Sequence, residues 1–197
     1  MAIVVEHEER RKKILEKALT VFMDDGFEDA TFQKIADRCG ITRTILYLYF
    51  KNKREIFTYS IKQLLLSVEA GINSIRADES LKIADKITGV MLNIFKVLED
   101  NQQFLRIVLD YVLHLPKNNI NPEERVRRRT VKLRRILSSM IIEGVKTGEL
   151  KSINIKTAND YLYNLIEAAI FNLIVLKRTD LEEMKKTVVF AINQIAV

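Results

Sequence analysis

The 197-residue chain contains no tryptophan, two prolines, six glycines, one cysteine and two histidines. Each shortage excludes something. So little proline and glycine leaves few of the tight turns that a barrel or sandwich of short strands requires, and with abundant Leu, Ile, Lys and Glu it favours an all-α protein. The single cysteine, Cys39, cannot close an intrachain disulfide, which points to a reducing, cytoplasmic setting. His7 and His114 sit in no nucleophile, metal-ligand or phosphate-loop pattern, so no catalytic residue, metal or cofactor is expected and an enzyme is disfavoured. No apolar run reaches the roughly 18–20 residues of a membrane span. The most apolar stretch, residues 161–176, is broken by Asn164, Glu167 and Asn172. The apolar segment Ile3 to Val5 is far too short for a signal peptide. A soluble protein without a membrane partner is expected.

Hydrophobic residues make up 48% of the chain, enough for a sizeable core, and the net charge is +6. The excess of cations suggests an anionic partner, but its distribution matters more than its sum. Residues 1–55 hold eleven Lys/Arg against ten Asp/Glu, a net of +1. Within that segment Asp24, Asp25, Glu28 and Asp29 precede a stretch in which Arg43, Lys51, Lys53 and Arg54 occur with no acid between them.

That stretch, TFQKIADRCGITRTILYLYFKNK from Thr31 to Lys53, reads as two short helices joined by a tight turn. Thr31 is a good N-cap, and Phe32, Ile35, Ala36 and Cys39 fall at i, i+3, i+4 and i+7 on one stripe. Gly40 ends the helix in the left-handed region, Ile41 folds back as its apolar contact, and Thr42 caps the next helix. On the second helix Ile45, Leu46 and Tyr49 cluster inward. Arg43, Thr44, Tyr47 and Leu48 form an exposed face suited to base edges, thymine methyls and phosphates.

These residues resemble the DNA-binding domain of the TetR family (TetR/AcrR-type) of bacterial transcriptional regulators. Thr31, Ile35, Ala36, Gly40, Thr42, Leu46, Tyr47, Tyr49, Phe50, Lys51, Asn52, Lys53 and Ile56 stand in register with the family's pattern; Thr44 and Ile45 depart from it. The resemblance implies DNA contacts from Gln33, Thr42, Arg43, Thr44, Tyr47, Tyr49 and Lys53. Arg43 is placed to read a guanine edge, Gln33 matches a position that sometimes reaches a base, and Tyr47, Tyr49 and Lys53 match positions that hold phosphates.

Nine helices are expected. The first carries the stripe Ile14, Leu15, Ala18, Leu19 and Phe22 and stops at Gly26; with the two motif helices it makes a three-helix domain over residues 1–55. Asn52, with Glu55 three positions on, opens a fourth helix too long for that domain alone. Residues 56–197 then form a helical effector-binding and dimerisation domain. Its sixth helix, about 103–115, is apolar almost all round and is expected at the centre of that second domain. Asn121, Pro122, Glu123 and Glu124 open the seventh helix with an N-cap, a proline at N1 and first-turn acids.

Met91, Phe95, Phe104, Ile107, Tyr111, Met140 and Tyr163 are candidates to line an apolar ligand cavity. Seven cations crowd residues 125–135 without an acid. Arg128 and Arg135 are offered from that run as partners for an anionic effector, an acyl-CoA or a fatty acid; a solvated helix face is the plainer reading. Leu181, Met184, Val188, Ala191 and Ile195 repeat at spacings of three and four, a seam that needs a partner helix, and Leu162, Leu165, Ala169 and Leu176 offer a comparable stripe. Both are expected at a homodimer interface. The functional expectation is a ligand-responsive regulator, a repressor that binds palindromic operator DNA as a homodimer. The alternative is a helical module of the same fold acting through a protein partner.

Overall fold

A computed structural model describes the backbone of residues 2–113 and 122–197, and the side chains of residues 7–113 and 131–197. Among the described residues there are nine helices and no strand beyond one isolated bridge between Leu150 and Ala196. They are α1 (Ala2–Asp29), α2 (Phe32–Cys39), α3 (Arg43–Tyr47), α4 (Lys53–Ala77), α5 (Ile83–Asp100), α6 (Gln102–Leu113), α7 (Pro122–Thr147), α8 (Ile155–Ile174) and α9 (Glu182–Ile195). No helix among the described residues is long and apolar enough to cross a membrane. The chain forms two compact units, Met1–Ser67 with Gln103–His114, and Val68–Gln102 with Leu115–Val197.

In the first unit α1 is broken where the sequence breaks it. Gly26 takes φ 77°, ψ 174°, outside the helical region and open to glycine without a Cβ penalty. Beyond it Phe27 turns inward, and Phe22, Phe27, Phe57, Phe104 and Tyr111 form a chain of ring contacts with centroids 4.4–6.0 Å apart. Two of those rings come from α6. The expectation that α6 lies at the centre of the second domain is therefore corrected: it packs on the N-terminal core, where Phe104 is buried and Ile107, Val108 and Tyr111 are half-buried. An all-round apolar helix announces burial, and which core buries it depends on contacts some 50–80 residues away in sequence.

In the second unit α5 is the central helix, packing against α7, α8 and α9. It buries Ile83, Ile87, Val90, Met91, Ile94, Phe95 and Leu98. Two helix starts lack a side-chain cap of their own and receive one from afar. Glu149 accepts the Ile83 N–H at 2.8 Å, opening α5. Glu99 accepts the Leu181 N–H at 2.6 Å before α9 and also pairs with Lys185 at 2.8 Å. An anion near the positive end of a helix satisfies a donor that would otherwise be orphaned.

The apolar seam of α9 does find a partner helix, but within the same chain. Leu181 and Val188 are buried, as are Leu162 and Ala169 of α8, in packing among α5, α8 and α9. Four of the residues expected at a homodimer interface are thus covered within their own chain. Leu165, Met184, Ala191 and Ile195 are half-buried, and Leu176 is exposed. The apolar side chains left outward on α8 and α9 are Tyr161, Phe171, Val189 and Phe190, with Val175 following α8. Tyr161 and Phe190 flank an open groove of about 390 Å³ that also touches Ala158, Ala191 and Ile195.

Candidate nucleic-acid interface

The helix-turn-helix is built by local chemistry. The Thr31 hydroxyl oxygen accepts the Lys34 N–H at 3.1 Å and opens α2. Gly40 closes it at φ 68°, ψ 31°, and the Ile41 N–H returns to the Ala36 carbonyl at 3.1 Å. This six-to-one bond is the Schellman closure that a left-handed residue permits. Thr42 then accepts the Ile45 N–H at 3.3 Å, and α3 begins. Ile35, Ala36 and Leu46 are fully buried, anchoring both helices. Downstream, Asn52 accepts the Glu55 N–H at 2.9 Å while Glu55 reaches back to the Lys51 N–H at 2.6 Å, a capping box displaced by one residue that starts α4.

Two of the four acids before the motif are paired with cations of α2. Asp24 pairs with Arg38 at 2.9 Å and Asp25 with Lys34 at 3.0 Å, joining α1 to α2. Exposed pairs of this kind add little stability, but they leave the field beyond α2 to the cations that follow. From Arg38 to Arg54 the sequence has no carboxylate.

Arg43, Thr44, Tyr47 and Leu48 are all exposed on α3 and its first following residue. The Tyr47 ring rests against Phe32 of α2 with centroids 4.6 Å apart, and its hydroxyl oxygen accepts a long bond of 3.4 Å from Arg43. Arg43 is thus oriented along the helix face while most of its five donors stay available. Gln33 is exposed on α2, where its amide donates to Asp37 at 2.6 Å. Tyr49 is half-buried and stacks on His7 of α1, centroids 4.6 Å apart. Arg11, one turn beyond His7, lies over the Tyr59 ring at 4.0 Å and Phe50 at 5.0 Å. The N-terminal part of α1 therefore braces the chain just past the recognition helix, a role that sequence pattern did not reveal.

Lys53, expected at a phosphate, also makes contacts within its own unit. Its ammonium donates to the Phe27 carbonyl at 2.8 Å and the Glu28 carbonyl at 2.7 Å, and sits 4.7 Å from the Phe27 ring centroid. Free carbonyls at a chain turn attract a cation, so two of its three donors hold α4 to the end of α1 rather than reaching outward. Cys39 lies against the Ile14 carbonyl, and burial raises its thiol pKa above the ordinary value, with Lys17 opposing. It is a core thiol.

The candidates for an effector cavity divide between the two units. Phe104, Ile107 and Tyr111 belong to the first core. Met91, Phe95 and Met140 are buried in the second, and Tyr163 lies under the Arg134 guanidinium at 4.1 Å. Arg135 is exposed; the side chain of Arg128 lies outside the described residues, as does His114. Part of the cation run has protein partners: Lys132 pairs with Glu69 at 2.8 Å, and Arg134 with Asp160. Among the described residues no cluster of His, Cys, Asp and Glu could hold a metal ion.

Residues 14–59 match the family of bacterial regulatory proteins, tetR family. The fatty acid metabolism regulator protein of Bacillus subtilis (strain 168) is 24% identical over 80% of this chain and 80% of its own length. Among solved structures, the transcriptional regulator FadR from Bacillus subtilis, in complex with stearoyl-CoA, aligns with a TM-score of 0.69 and 21% identity over 92% of this chain and 96% of that one. A TetR transcription regulator from Haloarcula marismortui aligns with a TM-score of 0.79 and 17% identity over 96% and 100%. At such identities the structural likeness establishes the fold. The relatives are transcriptional regulators, not enzymes.

Proposed function

We propose, from the match of residues 14–59 to the tetR family of bacterial regulatory proteins, that this chain is a ligand-responsive repressor that binds operator DNA as a homodimer in the cytoplasm. The observation that carries the reading is the exposed, carboxylate-free face of α3, held rigidly by Thr31, Gly40, Thr42 and the buried Leu46. Arg43 is assigned to a guanine edge, and Gln33, Thr42, Thr44, Tyr47 and Tyr49 to neighbouring bases and phosphates. The proposed division is a DNA-binding domain over residues 1–55 and an effector-binding and dimerisation domain over 56–197, of which residues 56–67 and 103–113 pack in the first unit.

A second copy is assigned to the outward face of α8 and α9, where Tyr161, Phe171, Val175 and Phe190 form the kind of apolar surface that marks an interface. A two-fold dimer reads two half-sites when its recognition helices stand roughly 34–36 Å apart, so an effector that alters this spacing releases DNA. An acyl-CoA or fatty acid is the proposed effector class. It rests on the stearoyl-CoA complex of the Bacillus subtilis regulator and on the cation run of α7, in which Arg135 is exposed.

Selection of bound sequences from a random duplex pool tests the reading directly. An enriched palindrome is expected, released by a long-chain acyl-CoA and less readily so in Arg135→Ala. No sequence preference at any salt concentration would falsify the DNA-binding reading; release by neutral aromatic compounds alone would reject the anionic effector.

A further inference from the structure

We propose that Leu48 is a specificity-determining residue that reads the C5 methyl of a thymine in each operator half-site. The inference rests on the DNA-binding reading above and names what one part of that surface recognises.

α3 ends at Tyr47, but Leu48 keeps helical angles, φ −68° and ψ −23°, and its N–H bonds to the Ile45 carbonyl at 3.1 Å. It therefore projects as a further residue of the recognition helix. Residues four apart on a helix share a face, so the exposed side chains fall into two adjacent ridges. One is polar, Arg43 with Tyr47, and is joined by their hydrogen bond. The other is Thr44 with Leu48, a methyl beside an isobutyl group.

Leu48 is 73% exposed, more than any other described large apolar side chain of residues 7–67. Tyr47, its neighbour, rests on Phe32, whereas Leu48 is not one of the apolar residues packed on the first core. A lone exposed leucine is ordinary on a protein surface. This one stands on the exposed face that also carries Arg43, in a stretch with no carboxylate from Arg38 to Arg54. The charge selects a polyanion, and a polyanion with an apolar feature at that depth is duplex DNA read from the major groove. There the thymine methyl is the apolar group that a side chain can cover.

The test replaces thymine by deoxyuridine, one position at a time, in the selected operator. This removes one methyl and nothing else. Wild-type protein should lose about fourfold in affinity at one symmetric position per half-site, the order expected for one buried methyl. Leu48→Ala should bind the thymine operator more weakly and show no further loss on deoxyuridine at that position, while Arg43→Ala should keep the deoxyuridine effect. Because Leu48 is exposed, the variant should fold as the wild type does, checked by its melting temperature. Affinity indifferent to every exchange, or a deoxyuridine effect that survives Leu48→Ala, overturns the assignment and leaves the proposed function standing. Failure to select any sequence overturns both.

Discussion

The ammonium of Lys53 lies 2.7 Å from the carbonyl oxygen of Glu28, tying the first residue of α4 to the end of α1. A lysine that the family resemblance matches to a phosphate-holding position thereby joins two elements of the first unit. Lys53→Ala should lower the stability of the unit by about 1–3 kcal/mol, the range for hydrogen bonds to a charged donor. The slope of log K against log salt should stay unchanged, because no counterion-releasing contact is lost. A shallower slope with unaltered melting would restore the phosphate role.

Arg43 has the opposite signature. Its side chain is exposed and carries only one long internal bond, to Tyr47 at 3.4 Å, so its removal should leave melting unchanged. Binding to the selected operator should weaken by roughly 1–3 kcal/mol, with preference relaxed at one base pair. Equal weakening on all sequences would mark it as a backbone contact instead.

Burial separates the two sets of residues on α8 and α9. Phe190 is 66% exposed and Ala169 is fully buried. Phe190→Glu should therefore give a folded monomer by light scattering, since it places charge on the outward face alone. Ala169→Arg should fail to fold, because an arginine there must enter a closed core and leaves a charge without a partner. A folded monomer from Ala169→Arg, with an unchanged dimer from Phe190→Glu, would move the interface back to the inner stripe.

Cys39 offers a pH-linked check on the first core. Burial holds its thiol above the ordinary value, with Lys17 opposing, so the neutral form is favoured when folded. The stability linked to this group is present below the unfolded pKa and is lost as pH rises through the folded one. Alkylation by iodoacetamide at pH 8 should be slower than for a free thiol and should reach the free rate in denaturant. Equal rates in both states would show that the α1–α2 contact opens readily.

Alkylation and melting probe packing; the turns that carry the recognition helix are legible without it. Thr31, Gly40 and Thr42 act within four or five residues of themselves, so their bonds to Lys34, Ala36 and Ile45 follow from local sequence. The break of α1 at Gly26 and the start of α4 at Asn52 have the same origin. Sequence by itself thus determined the helical class, the helix-turn-helix and the face that α3 presents. Only tertiary structure decided where the longer helices are buried. The stripe that includes Leu181 and Val188 states that a partner is needed but not whether it belongs to another subunit, and these two are covered within the same chain, where α9 packs on α5. α6 states that it is buried but not in which core, and Phe27 and Phe57 settle that. Lys53 states a charge, and the carbonyls that receive it lie 25 and 26 residues earlier. Hydrogen bonds at caps and turns depend on near neighbours, whereas hydrophobic burial is non-directional and is satisfied by whichever apolar surface the folded chain brings alongside.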